Sequence, residues 1–288
     1  MNNVLAMQLA QFAQRALLYE VTLSPKPGLV DRYSNGAHRD MNFYTFIDSA
    51  ISLVPFFEQY AAIGLQHQGS LLDLFQKIRT LGIQAEKKML TATKGINTHK
   101  GAHFSFAIIL AATGYHFQTA PHDFPLTAHD TQTICQYVAE MTASLIEQDF
   151  ANLSQKPTLS HGEKLYLTYG IRGIRGEVSQ GFPHITKKAM PLLRSLLTTT
   201  SQETALLRVL IDFMAHVEDS NLIHRGGISA WKKVQQEAQQ LAQVNDDAHF
   251  IDALQTYDQT LIERHLSPGG AADLLAICIY FSTLEGII

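Results

Sequence analysis

The apolar residues Leu5, Leu9, Phe12 and Ala16 step by four, three and four. On a 3.6-residue helix they share one stripe, with Gln8, Gln11 and Gln14 turned away. The same spacing returns at Leu71, Leu74, Ile78, Leu81 and Ala85, at Ile134, Val138, Met141 and Leu145, and at Phe250, Leu254, Tyr257 and Leu261. Ser70 with Asp73, Thr127 with Asp130 and Ser160 with Glu163 each set a hydroxyl three residues before a carboxylate, as a capping box does. Only LYLTY, Leu165 to Tyr169, alternates like a strand, and it follows one of these start signals, which makes it helical. With no Asn-Gly or Asp-Gly hairpin turn and no βαβ rhythm, the expected fold is all-α, with roughly ten helices.

No proline-rich, Gly/Ser-rich or charge-run linker divides the chain, so residues 1–288 are expected to form a single helical catalytic domain. A hydrophobic share of 46% can build its core without disulfides. Cys135 and Cys278 lie far apart and have neither a CxxC partner nor zinc spacing, which marks them as core residues in a reducing compartment. The first twenty residues lack a basic n-region and a cleavage pattern, and the longest uncharged apolar run, Leu274 to Leu284, falls short of the roughly 20 residues of a membrane span. The chain is therefore expected in the cytoplasm. A formal charge of -4 argues against general binding to nucleic acid or a membrane surface. A polyanionic ligand would have to be met locally.

Five interhelix segments offer such local groups: SPKPGLVDRYSNGAHRDM (24–41), KGINTHKG (94–101), GIRGIRGEVSQGFP (170–183), EDSNLIHRGG (218–227) and LSPGGAADLL (266–275). Each joins glycine or proline to residues able to bind phosphate or metal. Taken singly, such a loop is an ordinary solvated turn; five in one chain point instead to a shared anion site. Pro25 and Pro27 stiffen the approach of Lys26, and Gly28 lets the chain turn so that Asp31 and Arg32 lie near it. Asn97 or Thr98 can cap the next helix, whose N-terminus would offer N–H groups to an anion beside Lys94 and Lys100.

Several chemistries are not supported. His99 and His103 are four apart, but Lys100 stands where HExxH requires glutamate, and no third zinc ligand is evident. GxSxG is absent, as are GxxxxGK[ST] and GxGxxG. Phosphate recognition here must use another device.

At these five segments the sequence resembles the triphosphoribosyl-dephospho-coenzyme A synthase family. The stretches that carry the resemblance are PKPGLVDR with GAHRDM, NTHKG, GIRGE with GFP, the acidic-Asn segment before RGG, and LSPGG followed by ADLL. Ser24, Ser220 and Ala271 depart mildly, standing where threonine, threonine and serine are usual. His103 stands where an apolar residue is usual.

The resemblance implies an all-helical enzyme that moves the triphosphoribosyl group of ATP to 3'-dephospho-CoA and releases adenine. The product is the precursor of the citrate lyase prosthetic group and would pass to a holo-acyl-carrier-protein synthase. A sister branch serves malonate decarboxylase with the same reaction. This is glycosyl rather than phosphoryl transfer, so the lack of a P-loop is consistent.

Two polyanions must then be held by an acidic chain. The expected nucleotide- and phosphate-binding set is Lys26, Arg32, Asn97, Thr98, His99, Lys100, Arg172, Arg175, Asn221, Arg225, Gly226 and Gly227. Mg2+ is the expected cofactor, with Asp31, Glu177 and Asp219 as candidate ligands. An oxocarbenium-like transition state calls for a base and an acid. Glu177 is the first choice for the base, followed by Asp219 and Glu20, in an inverting single displacement. Two other readings use the same loops: a nucleotide N-glycosidase in which water attacks, and a non-catalytic helical protein that binds nucleotide or RNA. Apolar faces on the terminal helices would allow a homodimer.

Overall fold

The computed structural model describes residues 2–119 and 123–288. Regular structure among these residues is helical throughout, and no strand occurs. The longer helices are α1 (Asn2–Thr22), α2 (Phe43–Leu65), α3 (Leu71–Ala92), α4 (Lys100–Thr119) and α5 (Ala128–Met141). Four short ones follow, α6 (Leu145–Phe150), α7 (His161–Tyr169), α8 (Ile174–Ser179) and α9 (Met190–Leu196). The chain ends with α10 (Gln202–His216), α11 (Ser220–Leu241), α12 (Asp247–Glu263) and α13 (Gly269–Leu284). Apart from α7, which its capping box marks, the short segments are what the count of roughly ten omitted, because six or seven residues show too little periodicity to be read.

LYLTY lies within α7, behind a complete Ser160–Glu163 capping box. Thr127 and Asp130 make the same reciprocal pair at α5. At α3, Ser70 accepts from the Asp73 N–H, but its hydroxyl donates to the Asp73 carboxylate.

Most of α10 is buried and the remaining long helices turn one face inward, around helices α4 and α13, which are buried on every side. Their sequences, FSFAIILAATG and LLAICIYFSTL, carry apolar or small residues at nearly every position, as a central helix requires. The burial of α13 corrects the expectation of an exposed apolar face at the C-terminus; α1 does expose Val4 and Met7. Both cysteines are free and buried, Cys135 on α5 and Cys278 on α13. No helix among the described residues is long and apolar enough to cross a membrane.

Helices α2 and α4 run in the same direction and in register. Ser49 meets His99, Phe57 meets Phe106, and Gly64 meets Gly114. At the last pair the backbones touch. A Cβ on Gly64 would lie 2.1 Å from the Ala111 carbonyl oxygen, and one on Gly114 would lie 2.3 Å from that of Ala61.

Candidate active site

All five glycine- and proline-rich segments meet at one cavity of about 700 Å³. Residues at the N-termini of α4, α7, α11 and α13 line it, together with Glu20 near the end of α1 and the loop that follows. Four helix dipoles thus turn their positive ends toward one space, although the chain as a whole is acidic.

Asp31 builds the first loop. Its Oδ1 accepts the N–H groups of Tyr33 and Ser34 at 2.8 and 2.9 Å, and its Oδ2 accepts that of Lys26 at 3.3 Å. Gly28 (φ +71°) passes under the Leu266 carbonyl so closely that a Cβ would lie 2.2 Å from it. The result is that Lys26 points inward. Its ammonium is fully buried and paired with the carboxylate of Glu20. Burial raises the Glu20 carboxyl, Lys26 offsets part of that, and Asp31 adds to the rise.

The second loop places His99 on the cavity wall. Its Nδ1 lies 2.8 Å from Ser49 Oγ, which also accepts from Thr98 Oγ1 at 2.7 Å. Its Nε2 is buried and has no hydrogen-bond partner within the protein. Burial first, and then the charges of Lys26 and His103, push the imidazole down to about 3, so it is neutral at physiological pH. His103, one turn on, bonds Tyr60 Oη at 2.9 Å instead of sharing a site with His99. Lys100 pairs with Glu86 at 2.5 Å, and Asn97 Oδ1 accepts the Lys100 N–H at 3.3 Å.

GIRGIRGE divides between two tasks. Gly170 closes α7 in the left-handed region (φ +70°). The N–H groups of Arg172 and Gly173 donate to Glu218 Oε2 at 3.0 and 3.1 Å, which joins this segment to the approach of α11. Arg175 faces the cavity; its Nε donates to Asp149 at 2.7 Å, and its guanidinium lies over Phe104 and Phe150. Glu177 also lines the cavity, and its Oε2 is buried without a partner. Burial raises its carboxyl; His184 opposes the rise and Glu218 adds to it.

Asp219 lies beneath the site rather than in it. Its Oδ1 accepts from Asn221 and Leu222 at 2.9 and 3.0 Å, and its Oδ2 from Ala271 at 3.1 Å, so one buried carboxylate fixes the starts of both α11 and α13. Asn221 and Arg225 do reach the cavity; Arg225 donates to the Ala37 and His265 carbonyls and touches His38. His161 and His224 lie 3.7 Å apart between centroids, tilted by 40°, on the same wall.

Of the residues singled out from the sequence, Glu20, Lys26, Asn97, Thr98, His99, Lys100, Arg175, Glu177, Asn221 and Arg225 line the cavity. Lys94, Arg32, Arg172, Asp31, Asp219, Gly226 and Gly227 do not. Arg32 turns outward toward Glu203 at 3.7 Å. Gly226 and Gly227 bend α11: a Cβ on Gly226 would strike Leu266 at 2.7 Å, and Gly227 is non-helical at φ +77°. The three expected metal ligands do not converge, because Asp31 and Asp219 spend their oxygens on backbone N–H groups.

The sequence reading missed Asp273, although it quoted the segment that contains it. Asp273 is the only charged residue in the apolar helix α13, and that isolation was the available signal. It faces the cavity, and burial, followed by the charges of Asp219 and Glu20, raises its carboxyl well above the usual range.

Comparison with known proteins identifies the family. A family model described as "CitG: ATP:dephospho-CoA triphosphoribosyl transferase" matches residues 6–287. The chain is 50% identical over 283 residues to a Streptococcus equi subsp. zooepidemicus protein named "Probable 2-(5''-triphosphoribosyl)-3'-dephosphocoenzyme-A synthase", with 96% of each chain covered. Proteins of the same name from Streptococcus mutans and Streptococcus pyogenes are each 48% identical, with 97% and 100% of both chains covered. The chain belongs to the CitG family of ATP:dephospho-CoA triphosphoribosyl transferases.

Proposed function

We propose that this cavity transfers the triphosphoribosyl group of ATP to the ribose 2'-hydroxyl of 3'-dephospho-CoA and releases adenine. The observation that carries the reading is the meeting of all five segments at one cavity, with four helix N-termini directed into it. A triphosphate and a diphosphate can be held there by the positive helix ends and by Lys26, Lys100, Arg175 and Arg225.

The anomeric C–N bond to adenine breaks, and a C–O bond to the acceptor hydroxyl forms. Glu177, with its unpartnered Oε2, takes the proton of the attacking hydroxyl. Asp273, kept protonated by its surroundings, gives a proton to a basic ring nitrogen of the departing adenine, which leaves as the neutral base. His99 stays neutral and offers Nε2 to a substrate polar group. The displacement is single and inverting.

Of the carboxylates expected to hold Mg2+, Asp31 and Asp219 spend their oxygens on backbone N–H groups, and the one uncommitted oxygen of Glu177 serves as the base, so the ion would be held chiefly by the substrate phosphates. When bound, the ion would supply charge neutralisation to the triphosphate, with phosphate oxygens and water completing its shell. The product would be the precursor of the citrate lyase prosthetic group and would pass to a holo-acyl-carrier-protein synthase.

Chromatography of purified protein with ATP, magnesium and dephospho-CoA tests the reading. Adenine should appear in equal amount to the coupled product. Loss of phosphate from ATP without adenine, or adenine release that does not depend on dephospho-CoA, would overturn it.

A further inference from the structure

Behind the cavity wall, where the His184 backbone bonds the Glu177 carboxylate, three side chains meet that the proposed reaction does not use and that do not line the cavity. His184 Nε2 lies 2.6 Å from Asp212 Oδ2, and His216 Nδ1 lies 3.1 Å from Asp212 Oδ1. The three ligating atoms are all within 4.8 Å of one another, and no second set of three does this among the described residues. Asp212 and His216 are one turn apart on α10, so both project from the same face. His184 arrives from another part of the chain.

The backbone that delivers His184 is unusual. Gly181 and Phe182 both have positive φ, +69° and +53°, and His184 leads directly into a π-helix at Ile185–Ala189. Phe182 is fully buried, which holds the strained turn in place. Such π segments are uncommon and occur often at functional sites. The His184 ring also rests against Phe213, which restricts its rotation.

We propose that His184, Asp212 and His216 form a binding site for a transition-metal ion of the zinc class. Two imidazoles and a carboxylate are the ligand types zinc takes, and two nitrogens among three ligands favour it over magnesium. A tetrahedral zinc ion sets neighbouring ligand atoms about 3.3 Å apart; the imidazoles reach different oxygens of Asp212, at 2.6 and 3.1 Å, so the groups must open slightly and the carboxylate must turn or bind through both oxygens. Each imidazole binds as the tautomer with its proton on the other ring nitrogen, so His216 Nδ1 gives up its 2.9 Å bond to the Asp212 carbonyl oxygen when the ion enters. His216 lies at the rim with 37% of its side chain exposed, which leaves a fourth position for water.

The site would pin the segment after α8 to α10. Phe182 N–H donates to the Glu177 carbonyl at 2.8 Å, so the pinned segment is the one that ends the Glu177 helix. The proposal does not depend on the reaction assigned to the cavity.

Chelator-treated protein titrated with Zn2+ by calorimetry, with melting temperature and Co2+ absorption read in parallel, decides the matter. One ion per chain should bind, the melting temperature should rise, and Co2+ should show the d–d bands of a four- or five-coordinate site. His216→Ala and Asp212→Asn should each weaken binding by at least about tenfold and abolish the rise. His216 is at the surface, so its variant should fold, which circular dichroism confirms. Equal Zn2+ affinity in wild type and both variants, no stoichiometric ion, or equal competition by Mg2+ would refute the site.

Discussion

A Cβ placed on Gly101 would lie 2.0 Å from Oδ2 of Asp273. The first turn of α4 can therefore pass under that carboxylate only as glycine, and the backbone there hydrogen-bonds Asp273 through Ala102. Gly101→Ala should push Asp273 off its position. Steady-state kinetics should show adenine release slowed by about 10²-fold or more, as for loss of a positioned proton donor, with KM for ATP changed little. Asp273→Asn should reproduce the effect. An unaltered kcat in both would remove Asp273 from the chemistry.

Two arginines of one motif should behave differently. Arg175 faces the cavity, whereas Arg172 is exposed and uses only its backbone N–H, toward Glu218. Arg175→Ala should raise KM for ATP by about tenfold or more, the scale of one charged hydrogen bond. Arg172→Ala should stay within about twofold, since its side chain is exposed and does not line the cavity. Initial-rate measurements at varied ATP separate the two.

Glu177→Gln keeps the shape of the side chain and removes the base. Single-turnover adenine release should fall by about 10²- to 10⁴-fold, while ATP binding measured by calorimetry remains. A variant with full turnover would transfer the role to another carboxylate.

Acid should destabilise the fold through its buried imidazoles. His99 and His103 are pushed from 6.5 down to about 3 and about 4, both chiefly by burial. Between those values and 6.5 the native chain holds fewer protons than the unfolded one. Their contribution is thus fully present above about 6.5 and is lost as pH falls, at about 1.4 kcal/mol per pH unit for each histidine. Glu20 and Asp273 have raised carboxyls and act in the opposite sense, so the comparison must be with a variant. His103→Gln keeps a partner for Tyr60 and should flatten the slope of stability against pH by about that amount between pH 6.5 and about 4. Urea unfolding at several pH values measures it.

The helices were legible wherever one stripe faces a core, because that is a local pattern. Helix α13 carries no stripe, so its lone Asp273 was readable only as an anomaly, and its importance depends on Glu20 and Asp219 arriving from elsewhere in the chain. The loops were legible as a set, since glycine, proline and charge concentrate in them. Which charges turn inward was not. Asp31 and Asp219 look like ligands in the sequence and serve as caps in the fold, a distinction set by nearby N–H groups that composition does not record. Asp212 and His216 show a one-turn spacing, but His184 lies 28 residues before Asp212, so the sequence does not show the three as a set.

The touching backbones at Gly64 and Gly114 act as a fulcrum. Gly114 lies thirteen residues along α4 from Gly101, about 20 Å at a helical rise of 1.5 Å per residue. With α4 rigid over that arm, a tilt of a few degrees at the crossing becomes a displacement of about 1 Å beneath Asp273, the scale on which reacting groups lose alignment. The alignment of the reacting groups is therefore set partly by two absent methyl groups at the opposite end of the helix.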